Sequence, residues 1–202
     1  EEKRAELIGE WKEKGVVVKK HPYLSYAVQV EKSEGIRNLS GYEEGLFMVQ
    51  DVSSMLVVEA ADIKKGQTVI DVCAAPGGKT MTMAQMMENE GKIISCDIHE
   101  HKVPLIQKGA ARLGIENHTA RQQDASENVP EWNDSFDAVI ADVPCSGYGI
   151  IRKKPDIRYK NPDDMAELPE LQLAILKNQA RYVKPGGILM YSTCTLVRSE
   201  NE

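Results

Sequence analysis

From residue 46 onward, short runs of aliphatic and β-branched residues alternate with stretches of helical periodicity, and this alternation restricts the fold more than any other feature. Thr68-Val69-Ile70-Asp71-Val72, Lys92 to Asp97, Phe136 to Asp142 and Ile188 to Ser192 predict strands, with a weaker one over His118 to Gln123. Between them the spacing predicts helices over 53–61, 79–88, 102–113 and 169–183. Met83, Met86 and Met87 lie on the second, and Pro185-Gly186-Gly187 ends the last. Apolar strands separated by helices imply a mainly parallel, doubly wound α/β sheet covered on both faces. Residues 1–45 break the pattern. They offer a charged helix over 6–14 with Leu7, Ile8 and Trp11 at helical spacing, strands at 16–18 and 26–30, and a loop marked by Gly35, Asn38, Ser40 and Gly41. This reads as part of a small α+β unit, so a division into residues 1–45 and 46–202 is expected.

The chain has 202 residues, 42% hydrophobic and 28% charged. That is an ordinary globular balance with enough length for a core, and it excludes collagen-like, disordered and coiled-coil classes. No apolar run approaches a membrane span. A net charge of −6 argues against nucleic-acid binding by bulk charge, leaving a local basic patch as the route. The four cysteines form no C-x-x-C pair and the four histidines are not spaced to complete a zinc site, so no metal is expected. No secretory leader is read, which points to reduced thiols in a cytoplasmic setting. The sequence opens at Glu1 and closes at Glu202, just after a predicted strand, and is read as a piece of a longer protein.

Asp71-Val72-Cys73-Ala74-Ala75-Pro76-Gly77-Gly78-Lys79-Thr80 runs from a strand through small residues into a helix. Such a turn lets a ligand approach the backbone beside free helix N–H groups. It is not a Walker A loop, because the required glycine five residues before Gly78 is Cys73, and G-x-G-x-x-G is also absent. Asp97, Asp124 and Asp142 close three successive strands. An acid after the second strand can accept both hydroxyls of a ribose, and Asp124 is placed to meet an adenine edge. Cys145 follows the fourth strand in Asp142-Val143-Pro144-Cys145-Ser146-Gly147, and Cys194 follows the fifth in Tyr191-Ser192-Thr193-Cys194-Thr195. In the usual doubly wound order these two face one cleft. Cys73 and Cys96, inside or at the ends of apolar strands, read mainly as core filler.

Together these stretches resemble the S-adenosylmethionine-dependent RNA (cytosine-5)-methyltransferases. Phe47-Met48-Val49-Gln50-Asp51-Val52-Ser53-Ser54 is similar to that family's lead-in segment, and Glu200-Asn201-Glu202 to its continuation. Gly149 to Tyr159 points, within the family, to enzymes of bacterial 16S (small-subunit) ribosomal RNA. Val143 stands where the family often has a proline. The resemblance implies a Rossmann-like class I methyltransferase domain. It implies Cys194 as nucleophile towards carbon 6 of cytosine, Cys145 as the second cysteine that helps release product, and Asp142 at the cytosine N3 side. Lys79 is implied to position donor or base. S-adenosyl-L-methionine, which leaves as S-adenosylhomocysteine, would be held by Cys73, Ala74, Ala75, Pro76, Gly77, Gly78, Lys79, Asp97 and Asp124, with Asp142 at the edge of both sites. Arg152, Lys153, Lys154 and Arg158, with Lys160, form the one dense basic stretch and are expected to meet RNA phosphates. The same chemistry on another RNA such as tRNA, or a piece that binds cofactor or RNA without activity, is the alternative.

Overall fold

The computed structural model describes residues 2–33, 35–161 and 165–202. It divides into two compact units, one holding the residues up to Val49 with Arg112–Gly114, the other Gln50–Ala111 with Ile115–Glu202. The division therefore falls at Val49/Gln50 rather than at residue 45.

In the first unit, helix α1 (Glu2–Glu13) precedes an antiparallel pair, β1 (Val17–Lys20) and β2 (Val28–Lys32). Leu7, Trp11 and Val16 are buried together. The Trp11 indole donates to the Ser40 carbonyl at 3.0 Å and stands edge-on to Phe47 at 4.9 Å. Both strands sit one or two residues later than their apolar runs suggest. The reason is the turn between them. His21 Nδ1 accepts the amides of Tyr23 and Leu24, and Ala27 N donates to Leu24 O, so Tyr26 and Ala27 are spent on the turn.

The second unit is built on five strands: β3 (Thr68–Asp71), β4 (Lys92–Asp97), β5 (His118–Gln122), β6 (Phe136–Asp142) and β7 (Val183–Ser192). They pair in parallel in the order β5-β4-β3-β6-β7. Among the described residues four α-helices accompany them: α2 (Val52–Ala60), α3 (Gly78–Met86), α4 (Val103–Arg112) and α5 (Leu168–Gln179). Strand residues alternate between two cores, as a two-residue period demands. Ile70, Val139 and Ala141 face α5 residue Ile175 and Tyr182, whereas Val69, Ala138 and Ile140 face Val58 of α2 and Met83 of α3. The methionines of α3 are core packing.

One boundary differs from the sequence expectation. Helix α5 stops at Gln179 instead of reaching residue 183, and β7 starts at Val183 instead of Ile188. Tyr182 is the cause: it is buried, its hydroxyl accepts the Val129 amide at 2.8 Å, and its carbonyl accepts the amides of Ser135 and Phe136. The chain therefore leaves the helix early to enter the sheet. Pro185-Gly186-Gly187 lies within the strand, where the ladder shifts: Phe136 pairs with Val183, but Ala138 pairs with Ile188. An outer strand with a bulge tolerates the missing proline N–H. Gly187 is required there, because a Cβ would sit 2.8 Å from the Asp137 carbonyl oxygen and 2.9 Å from Val183 Cγ1.

Gly187→Ala is expected to destabilise the protein by about 1–3 kcal/mol through forced backbone shifts. Gly9→Ala, on α1 with nothing within 4 Å of the added methyl, should stabilise it by about 0.4–1 kcal/mol. Urea unfolding curves of the two variants check both signs.

Candidate active site

Strand order reverses at β3, whose neighbours are β4 on one side and β6 on the other. In an open α/β sheet the crevice past the carboxyl ends at such a reversal is where ligands bind. A cavity of about 430 Å³ lies there, lined in part by Cys73, Ala75, Asp97, Asp124, Asp142 and Pro144.

The loop after β3 is folded tightly by its own backbone. Ala74 N donates to Cys96 O at 2.7 Å and Gly77 N to Ala74 O at 2.6 Å. Gly77 adopts φ +108°, in the left-handed region, just before α3 begins at Gly78. Below the loop, Asp71 accepts the Thr80 hydroxyl at 2.8 Å. Thr80 is 2.9 Å from Ser95 Oγ, which in turn is 3.0 Å from His118 Nε2. Burial pushes the Asp71 carboxyl up to about 6 against the opposing Thr80 bond. Ala74, Pro76, Gly77, Gly78 and Lys79, predicted to hold cofactor, shape the loop but are not among the cavity's lining residues.

Asp97 ends β4 with its carboxylate in the cavity wall. It accepts Ala75 N at 3.3 Å and His99 N at 3.0 Å, with Lys102 Nζ 3.8 Å away. Asp124 reaches the same cavity, where one of its oxygens is held by the Ser126 amide at 2.8 Å and the Ser126 hydroxyl at 2.7 Å. Sequence reasoning missed Ile98, His99, Lys102, Ala125, Leu171 and Ile175, which also line the cavity. A signal existed in Ile98, an apolar residue just past the strand-ending acid and 51% exposed. Leu171 and Ile175 could be found only once α5 was known to lean over this end of the sheet. Cys73 lines the cavity with its thiol pushed up by burial, and Cys96 is a buried core residue pushed up to about 12 for the same reason.

At the edge of the cavity, Asp142 uses both oxygens. Lys79 Nζ lies 2.5 Å from one and Ser192 Oγ donates to the other at 2.7 Å. The Lys79 side chain is only 11% exposed, which strengthens this pair relative to a surface ion pair. Lys79 Nζ is also 3.4 Å from Ser54 Oγ on α2.

Beyond Asp142 the two cysteine loops meet. Cys145 Sγ and Cys194 Sγ are 3.0 Å apart as free thiols, and Cys194 N donates to Cys145 Sγ at 3.2 Å. Gly149 N donates to Cys194 O at 3.0 Å, and a Cβ at Gly149 would lie 2.8 Å from that oxygen. The hydrogen bond from the Cys194 thiol brings Cys145 down to about 6. Burial opposes the shift, and the amides of Cys194 and Gly147 add to it. The same thiol–thiol bond pushes Cys194 up.

Arg152, Lys153, Lys154, Arg158 and Lys160 are all exposed on the turns that follow. Lys153 is paired with Asp51, whose carboxyl is held below its usual value first by that lysine. Among the described residues no group of three or more His, Cys, Asp or Glu could hold a metal ion. No described helix is long and apolar enough to cross a membrane.

The family described as 16S rRNA methyltransferase RsmB/F matches residues 58–202. The chain belongs to this family. Among relatives of this RsmB/F chain, the "probable ribosomal RNA small subunit methyltransferase B" of Bacillus subtilis is 45% identical over 201 residues, covering 98% of this chain and 45% of its own length. A methyltransferase homolog protein from Pyrococcus horikoshii superposes with a TM-score of 0.84 at 33% identity, over 98% of this chain and 62% of that one. NSun6 from the same organism, solved with the S-adenosylmethionine analogue SFG, gives 0.72 at 30% identity, over 87% of this chain and 46% of that one. The chain thus spans less than half the length of the Bacillus subtilis relative. The fold is the class I, Rossmann-like methyltransferase fold that the resemblance implied.

Thiol alkylation should show one reactive thiolate whose formation is centred near pH 6. Its main cause is the bond from Cys194, so Cys194→Ala should move the midpoint of Cys145 up, towards an ordinary thiol. Mass-spectrometric mapping of iodoacetamide labelling against pH checks both statements.

Proposed function

We propose that this chain is the catalytic portion of an S-adenosylmethionine-dependent RNA (cytosine-5)-methyltransferase acting on 16S ribosomal RNA in the cytoplasm. The observation that carries the reading is the pair of free thiols, 3.0 Å apart, beside the Lys79–Asp142 pair at the mouth of the cavity. Membership of the RsmB/F family and the named relatives support the substrate class.

The cavity suits an adenosyl group. Asp97 offers a carboxylate for the ribose hydroxyls, Ile98, Leu171 and Ile175 offer apolar walls for the base, and Asp124 offers an acceptor at its far edge. When bound, S-adenosylmethionine supplies an electrophilic methyl group on a sulfonium.

Carbon 5 of cytosine becomes nucleophilic only after a thiolate adds to carbon 6. Cys194 is the attacking residue and adds to carbon 6 once it has given up its proton, while Cys145, 3.0 Å away, acts at product release. Lys79 and Asp142 sit where a proton is needed at N3, with Ser192 fixing the Asp142 carboxylate. After methyl transfer the Cys145 thiolate takes the C5 proton, the C5–C6 double bond re-forms as the bond from C6 to sulfur breaks, Cys194 leaves as a thiolate, and N3 returns its proton to the Lys79–Asp142 pair. The target base must leave its stack to reach the thiols, so an opened RNA segment is the substrate form. Arg152, Lys154 and Arg158 hold the flanking phosphates, while Lys153 must first part from Asp51.

In the full-length protein, Cys194→Ala should abolish 5-methylcytosine formation in unmodified small-subunit ribosomal RNA. Cys145→Ala should leave a covalent protein–RNA adduct. Tritiated methyl transfer and denaturing gels read both, and methylation surviving Cys194→Ala would overturn the reading. Replacing Arg152, Lys154 and Arg158 by Ala should weaken RNA binding. The slope of log affinity against log salt should fall by about 0.7 for each single-strand phosphate that the variant no longer neutralises. Binding titrations at several salt concentrations measure that slope.

A further inference from the structure

Resting on that reading of the thiol pair, we propose that Glu200 and Gln172 are positioning residues that clamp the Cys145 loop and hold the two sulfurs at reacting distance. Glu200 is a carboxylate in a buried position, 6% exposed, in the turn after the Cys194 loop. One of its oxygens, Oε2, accepts the Ser146 amide at 3.0 Å and the Gln172 amide group at 2.9 Å. Gln172, on α5 and also buried, gives a hydrogen bond from the same nitrogen to the Pro144 carbonyl at 2.8 Å. The peptide groups on either side of Cys145 are therefore held by two side chains that are bonded to each other. The far loop is tied in as well. Ser146 Oγ lies 2.6 Å from Thr195 Oγ1, next to Cys194, and Tyr191 OH donates to the Glu200 carbonyl at 2.9 Å.

A buried carboxylate is costly unless donors surround it, and leaving either partner unpaired costs more than the pair gains. Burial pushes the Glu200 carboxyl up. The bonds from Ser146, Gln172 and Thr195 outweigh that, so it stays below its usual value and charged at neutral pH. The charge also opposes the Cys145 thiolate, so charge attraction is not what holds the sulfur in place. The hydrogen-bond geometry does so. Because the Ser146 amide and the Gln172 side chain use the same oxygen, a glutamine side chain can keep those two bonds, whereas alanine loses them.

The test uses the full-length protein with Glu200→Ala, Glu200→Gln and Gln172→Met, the last carrying the decision if Glu200→Ala does not fold. Two readouts are taken. The first is steady-state methyl transfer to ribosomal RNA. The second is closure of a Cys145–Cys194 disulfide by diamide without RNA, in which the two thiols lose their hydrogens to the diazene, reducing it to the hydrazine as the S–S bond forms. Glu200→Ala and Gln172→Met should lower kcat by about tenfold to a hundredfold with KM for RNA and cofactor little changed, and should slow disulfide closure to a similar degree. Glu200→Gln should stay close to wild type in both. Wild-type rates in the alanine and methionine variants, or equal losses in Glu200→Ala and Glu200→Gln, would overturn the clamp. If the wild type makes no 5-methylcytosine but Glu200→Ala still slows disulfide closure, the clamp stands and the assigned reaction falls. If methylation proceeds equally in all variants, the clamp falls and the reaction stands.

Discussion

Parallel pairing of β6 with β7 sets Asp142 level with Ser192, and the chemistry of the cleft depends on that register. Three residues past Asp142 the chain reaches Cys145, and two residues past Ser192 it reaches Cys194. Equal strand ends followed by short loops bring the sulfurs together. A slip of one residue would turn the Ser192 hydroxyl to the other face of the sheet and break its bond to Asp142. What prevents the slip lies at the other end of the ladder. The bulge at 184–187 absorbs the extra residues, and the close approach of Gly187 to the Asp137 carbonyl admits no side chain. A glycine far from the chemistry thereby decides which atoms meet in it.

The other half of the site follows from β3. Its order reversal opens the crevice, and the small residues after Asp71 let the loop fold back on Cys96 and turn into α3 through Gly77. Lys79 is then carried on the first turn of α3 to Asp142 on the neighbouring strand. The short chain from Asp71 through Thr80 and Ser95 to His118 couples the loop's base to β4 and β5. Desolvation raises Asp71 and lowers His118, each shift disfavouring the charged form inside the sheet, and the Thr80 bond opposes the shift at Asp71.

Much of this was legible in the sequence because it is encoded locally. Aliphatic runs such as Val69-Ile70 and Ala138-Val139-Ile140 belong to strands covered on both faces. Acids at their ends and small residues after Asp71 mark the carboxyl edge. The neighbouring of Cys145 and Cys194 needed only the usual strand order. Less legible were features decided by packing across the fold. Tyr182 ends α5 early through its hydroxyl and carbonyl bonds, and nothing in the run 169–183 signals that. The walls formed by Leu171 and Ile175 depend on where α5 lies. By sequence Gln172 is one more polar residue of a helix and Glu200 one more acid of a short charged stretch. Only the fold buries both against the Cys145 loop.

The proton allocation between the thiols follows from the same geometry. Cys145 accepts the Cys194 thiol and also the amides of Cys194 and Gly147, whereas Cys194 has only its own amide to lower it, so the shifts favour ionisation at Cys145 over Cys194. The arrangement also separates roles that two identical side chains would otherwise share. In the proposed reaction the more exposed Cys194 meets the base, and the half-buried Cys145 takes the C5 proton at release. That separation rests first on the bond from the Cys194 thiol to the Cys145 sulfur, with the Gly147 amide aimed at the same sulfur.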